Sequence, residues 1–166
     1  KIIEIMKNIL EEIAARTRER IAKEKSCISV SELENRIQEV NKNARQKITF
    51  LQALQKDGMS YICEVKKASP SKGLIAPDFP YLAIAKEYEQ AGASAISCLT
   101  EPFYFQGADQ YLREISAAVQ IPVLRKDFTV DEYMIYQAKS LGASAVLLIC
   151  AILDDGELRA YRQLAR

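Results

Sequence analysis

The pattern of hydrophobic and polar positions along this chain changes period near residue 58. Before it, Ile2, Met6, Ile9, Leu10, Ile13 and Ile21 recur near helical spacing among Glu, Arg and Lys, which predicts a long amphipathic helix. In the stretch SVSELENRI, Ser29 with Glu32, or Ser31 with Glu34, has capping-box spacing and predicts the start of a second helix. A third segment, ITFLQALQ, is expected to run to Asp57-Gly58, where glycine serves as a helix stop. No polar cluster in residues 1–57 resembles a site, and the region reads as a helical extension.

From residue 60 onward four apolar runs, SYICEVK, SAISCLT, IPVLRK and SAVLLICA, predict strands. Amphipathic stretches at about 80–91, 109–119 and 131–141 predict the helices between them, and a fourth opens near Asp154. Two of these helices end in nearly the same words, Gly92-Ala-Ser-Ala-Ile and Gly142-Ala-Ser-Ala-Val, so one helix-to-strand joint is used twice. Strands alternating with helices predict an α/β fold for residues 58–166, a parallel sheet of right-handed βαβ units. Four units fit either an open doubly wound sheet or part of a closed barrel. The first requires a glycine-rich turn after the first strand, and KKASPSKG is neither G-x-G-x-x-G nor a Walker loop. The barrel is favoured by its polar residues: Glu64 and Lys66, Thr100-Glu101, and Arg125-Lys126-Asp127 all gather at the C-terminal ends of strands.

Composition narrows the chemistry. A chain of 166 residues is short for a complete α/β barrel of about 250. A net charge of +1 with interspersed signs favours neither nucleic acid nor an anionic membrane as partner. No apolar run approaches the roughly 20 residues that span a bilayer, and KIIEIMKNILEEI is too charged for a secretory signal. The four cysteines form no CxxC, and Cys63, Cys98 and Cys150 sit in strand-like runs, so buried thiols of a reduced, cytoplasmic protein are expected. The chain has no histidine, which removes the commonest general base and the commonest nitrogen ligand for metals. No metal is expected, and acid–base chemistry falls to Lys, Glu, Asp, Tyr or Cys.

Side chains alternate across a strand, so Glu64 and Lys66 share one face while Cys63 and Val65 share the other. In a barrel that puts the acid and the base inside, near the mouth. A charge buried alone costs several kcal/mol, so the two are expected to pair with each other or with a ligand. A structural ion pair is the plain reading. Lys126 argues against it, because the same parity gives the interior a second cation without a carboxylate of its own. Arg125 and Val123 then face outward, and Asp127 reads as a loop or helix-start residue. Two lysines and one glutamate suit an anionic substrate, and a partly desolvated lysine can serve as general acid. Ser69, in the Ser-Pro-Ser-Lys-Gly loop, adds a hydroxyl; Phe105, Phe128 and Leu147 are either core or a rim for an aromatic ring.

The segments EVKKASPSKG, LTEPFYFQG, IPVLRKDF and AVLLICAILDD, in that order and spacing, closely resemble indole-3-glycerol phosphate synthases from about residue 6 onward. The resemblance implies a (β/α)8 TIM barrel with an N-terminal helical extension. It implies a lyase of tryptophan biosynthesis that closes 1-(2-carboxyphenylamino)-1-deoxyribulose 5-phosphate to indole-3-glycerol phosphate with loss of CO2 and water, using no cofactor. By motif, Lys126 would be the general acid at the substrate carbonyl. Lys66 would bind the substrate's carboxylate or phosphate and share the acid role, and Glu64 would act in acid–base steps and hold the lysines. Ser69 would line the site, with Phe105, Phe128 and Leu147 against the anthranilate ring. The family has eight strands, whereas these residues run into the helix after the fourth. The family's strand-five glutamate, strand-six Asn and Arg, strand-seven Glu-Ser segment and glycine-rich phosphate site are therefore without counterparts here. The expectation is an N-terminal half of the enzyme, inactive alone. The alternatives are a non-catalytic half-barrel that self-associates through exposed sheet edges, or another phosphosugar barrel such as phosphoribosylanthranilate isomerase, against which Glu64-x-Lys66 and RKDF argue.

Overall fold

The structure, a computed structural model, describes the backbone of residues 2–43 and 48–166 and the side chains of residues 9–42 and 48–166. The first helix, α1, runs Ile2–Cys27; of the hydrophobic stripe that predicts it, Ile2 and Met6 lie outside the described side chains. Ser29 opens α2 (Val30–Asn43), its hydroxyl accepting from the Glu32 amide at 3.2 Å, so the first of the two candidate caps is the one used. The short α3 (Phe50–Leu54) begins with a complete capping box between Thr49 and Gln52. It stops before the expected Asp57-Gly58, at a C-cap on Gln55 whose amide donates to the Leu51 carbonyl, and the Ser60 hydroxyl donates to the Leu54 carbonyl just beyond.

Four parallel strands follow, β1 (Ile62–Val65), β4 (Ala95–Leu99), β5 (Val123–Lys126) and β6 (Ala145–Val146), in the spatial order β1-β4-β5-β6. Between β1 and β4 lies a small antiparallel hairpin, β2 (Ala68–Ser69) with β3 (Gly73–Leu74), where a plain loop was expected. Helices α4 (Tyr81–Gln90), α5 (Asp109–Ala118) and α6 (Tyr133–Ser140) connect the strands, and α7 (Asp155–Leu164) follows β6 behind a capping box of Asp154 and Glu157. A strand order that repeats the sequence order has no reversal point, so this is barrel winding and not the doubly wound alternative.

Register puts Glu64 beside Ser97 and Leu124 on one face, and Val65 beside Cys98 and Arg125 on the other. The second face carries the core. Val65, Ile96, Cys98 and Val123 pack there against Ala85, Leu112, Ile115 and Ala138 from the helices, all at most 2% exposed. Each such aliphatic side chain contributes on the order of 1.5–3 kcal/mol by leaving water. The repeated glycine joints behave alike: Gly92 and Gly142 have φ of +90° and +87°, and the amides of Ala93 and Ala143 reach back to the carbonyls of Tyr88 and Ala138. β6 is much shorter than its apolar run, because its ladder with β5 covers only Ala145 and Val146.

A second core joins α1 to the C-terminal ends of the strands. Ile13, Ala14 and Ile21 of α1 and Leu33 of α2 bury against Phe128, Val130, Tyr133 and Met134. Cys98 is the buried thiol; Cys63 is half-buried, and Cys27 and Cys150 are exposed. The expectation for Cys150 therefore fails, since the backbone leaves the strand at Val146 and carries Cys150 into a turn.

Candidate active site

Strand alternation and register together place Glu64 near the end of β1 and Lys126 at the end of β5 on the same face, with β4 between them. Lys66, just past β1, shares Glu64's parity. The carboxylate of Glu64 is divided between the two ammoniums: Lys66 Nζ donates to Oε1 at 2.6 Å and Lys126 Nζ donates to Oε2 at 2.9 Å. All three side chains are about one-third exposed, so each charge is partly desolvated and still open to a ligand. Burial alone would push the Glu64 carboxyl up. The hydrogen bonds and charges of Lys126 and Lys66 outweigh it and hold Glu64 below the usual carboxylate range. Two cations share one anion, which leaves one positive charge in excess within this group at the strand ends. Lys126 thus does have a carboxylate partner, but only by sharing the one that Lys66 also uses.

Behind this group, on the helix side of β5, lies a buried polar network. Asp127, 2% exposed, accepts from Arg20 Nη2 of α1 at 3.1 and 3.0 Å, from the Thr100 hydroxyl at 2.7 Å and from the Phe128 amide at 2.8 Å. Arg125, 1% exposed, donates to Thr100 Oγ1, the Met134 carbonyl, Gln137 Oε1 and Asp109 Oδ1 at 2.8–3.2 Å, and reaches Asp127 Oδ2 at 3.4 Å. Burial pushes the Asp127 carboxyl up, but the Arg125 and Arg20 charges and the Thr100 and Phe128 hydrogen bonds hold it below its ordinary range.

The aromatic rim is built by Glu101. Its carboxylate is fully buried and accepts from three amides, Phe103 at 3.0 Å, Tyr104 at 2.7 Å and Phe105 at 3.0 Å. The loop closes at Gly107, whose amide donates to the Glu101 carbonyl and where any Cβ would lie 2.5 Å from the Leu99 carbonyl oxygen. Phe105 is thereby held with its ring centroid 6.4 Å from that of Phe128. On the outer side, Arg16 of α1 stacks over Phe103 at 3.9 Å.

A family model for indole-3-glycerol phosphate synthase matches residues 10–166. The chain belongs to the indole-3-glycerol phosphate synthase family. It is 55% identical over 157 residues to the indole-3-glycerol phosphate synthase of Lacticaseibacillus paracasei, covering 95% of this chain and 60% of that protein. The synthase of Ruminiclostridium cellulolyticum is 51% identical over 158 residues with the same shares, and that of Thermoanaerobacter pseudethanolicus is 45% identical over 95% of this chain and 58% of its own. The chain spans about 60% of the length of these curated relatives. Indole-3-glycerol phosphate synthases are TIM barrels, and four parallel strands in sequence order agree with part of one.

Of the residues singled out from this family's motifs, Glu64, Lys66 and Lys126 come together as one group, and Phe105 and Phe128 as one pair. Among the described residues neither Ser69 nor Leu147 is bonded to the Glu64 group. Ser69 is buried and accepts from the Lys72 amide at 3.2 Å, closing its own hairpin. Leu147 is half-buried just beyond β6, between Val146 and Leu148, which pack against the buried cluster of Ile135, Leu153 and Tyr161. Phe128 is 7% exposed and belongs mainly to the core under α1. Asp127 lies in the loop after β5, one of its two expected places, and not at a helix start, since α6 begins only at Tyr133; in that loop it is the buried centre of a charge network. That network, with Arg20, Glu24 and Gln137, escaped the sequence reading. Its signal was present in β5, because the parity that turns Lys126 inward sets Arg125 and Asp127 together on the opposite face.

Proposed function

We propose that these residues serve the decarboxylating ring closure of 1-(2-carboxyphenylamino)-1-deoxyribulose 5-phosphate to indole-3-glycerol phosphate, the lyase reaction of tryptophan biosynthesis implied by the family. The observation that carries the reading is one carboxylate, Glu64, held at the strand ends by two ammoniums with one positive charge in excess. In this reading Lys126 is the general acid that protonates the substrate carbonyl as the new C–C bond forms. Lys66 takes the substrate's carboxylate or phosphate and leaves Glu64 to do so. Glu64 then accepts or returns protons and keeps both ammoniums aimed at the mouth. Phe105, Phe128 and Leu147 supply the apolar wall for the anthranilate ring, and Ser69 anchors the hairpin that borders it.

The test is binding of that substrate to the 166-residue chain. Lys66→Ala and Lys126→Ala should each weaken it by about tenfold or more, the loss of one charge-assisted hydrogen bond. Equal affinity in both variants and in the parent would sink the assignment. The division into a helical extension (residues 1–57) and a barrel portion (58–166) goes with this reading, as does a cytoplasmic location. Among the described residues no helix is long and apolar enough to cross a membrane. Self-association through sheet edges is a second proposal, supported by the exposure of Tyr61, just before β1, at 56% and of Ile62, its first residue, at 46%. Light scattering on the same chain tests it, and a monomer mass at all concentrations would rule it out.

A further inference from the structure

We propose that Asp127 is the positioning residue of Lys126, and that Arg20 of α1 completes the clamp that holds Lys126 against Glu64. The inference rests on the reading of Lys126 as a reacting group, and it adds how that group is aimed.

Lys126 stands between two residues that are locked on the far side of the sheet. Arg125 before it and Asp127 after it are 1% and 2% exposed and are tied to the same Thr100 hydroxyl, at 3.1 and 2.7 Å. The Thr100 amide in turn donates to the Lys126 carbonyl at 3.1 Å. With both neighbours fixed outward, alternation leaves the Lys126 side chain only the inner face, where Nζ meets Glu64 at 2.9 Å. The clamp closes only with α1. Asp127 faces Arg125 at 3.4 Å and Arg20 at 3.0 Å, so the shorter cationic contact comes from the N-terminal helix. A second tie runs the same way, since Gln137 accepts from Arg125 and donates to Glu24 of α1 at 2.7 Å. Groups that orient a reacting side chain from behind are held by such outer hydrogen bonds.

Competitive labelling with a trace amine-acylating reagent, read lysine by lysine in one digest of the 166-residue chain, tests the proposal. In the parent, Lys126 and Lys66 should both react slowly beside exposed Lys72. In Asp127→Asn and Arg20→Gln, Lys126 should react about tenfold faster while Lys66 keeps its protection, because one charge-assisted hydrogen bond is lost at one ammonium only. Arg20→Lys, which keeps a cation near Asp127, should restore most of the protection. A merely structural role would release Lys66 and Lys126 together, and that result overturns the proposal, as does an unchanged Lys126 in folded variants. If Asp127→Asn does not fold, the two Arg20 variants decide alone. Labelling needs no turnover, so its failure is distinct from failure of the ring-closure assignment.

Discussion

Glu64 Oε2 and Lys126 Nζ meet at 2.9 Å although 62 residues separate them along the chain. Two independent pieces of backbone logic converge there, the alternation within each strand and the register through β4. The contact also has a titration signature. Glu64's carboxyl is held below its ordinary value of 4.5, and Asp127's below 3.8. A carboxyl depressed on folding adds stability that is complete above its unfolded value and disappears as pH falls through the folded one. Urea denaturation from pH 6 downward should therefore show stability falling below about pH 4.5. Glu64→Gln should flatten the upper part of that fall, with a loss at neutral pH of only about 1 kcal/mol, since the pair is one-third exposed. An unaltered pH profile in the variant would mean that the lysines do not hold Glu64.

Glu101 makes a different demand, because it is fully buried and three amides depend on it. Glu101→Ala should cost about 3 kcal/mol in chemical denaturation, the scale for stranded hydrogen bonds to a charged group. Hydrogen exchange at Phe103, Tyr104 and Phe105 should accelerate more than exchange at β4. Uniform acceleration would show that Glu101 supports the whole core and not the loop.

Gly107 is a close-approach glycine. A Cβ there would stand 2.5 Å from a backbone oxygen of Leu99, and backbone cannot step aside as a side chain can. Gly107→Ala should lose about 1–3 kcal/mol, the usual cost of overpacking. The same change should weaken binding of any aromatic ligand that leans on Phe105. A stable variant would mean that the loop has a second way to close.

Three of the four cysteines should divide sharply under a thiol reagent, with half-buried Cys63 between the extremes. Burial pushes the Cys98 thiol up to about 12, and its sulfur lies in the helix-side core. Cys27 and Cys150 are exposed. In the native chain those two should label within minutes while Cys98 waits for unfolding. Early labelling of Cys98 would reveal opening of the sheet–helix interface.

Much of this was legible in the residues. The apolar runs and the glycine joints named the strands and helices in order, because period and chain-reversal chemistry are local. The common facing of Glu64 and Lys66, and the inward turn of Lys126, were legible too, since parity is a property of each strand; that Lys126 shares the Glu64 carboxylate depended on the register through β4. What stayed hidden depended on distance. Arg20 looks like any charge on an amphipathic helix until α1 is docked, and only then does it face Asp127. The hairpin of Ala68–Ser69 with Gly73–Leu74 was hidden for another reason, as two-residue strands carry too little pattern to read. Leu147 shows the converse: an apolar run of eight letters overstates a strand when only two residues find a partner.

The Arg20–Asp127 contact joins residues 107 apart. A bond of that span closes a large loop, so the expected order of events puts it late on the path to the native state. Contacts made after the rate-limiting barrier govern how fast a protein comes apart and leave its speed of assembly nearly untouched. The N-terminal helix is therefore expected to work as a latch on lifetime. Loosening it with Arg20→Gln should steepen escape from the folded state in stopped-flow unfolding, while the refolding limb stays where it was.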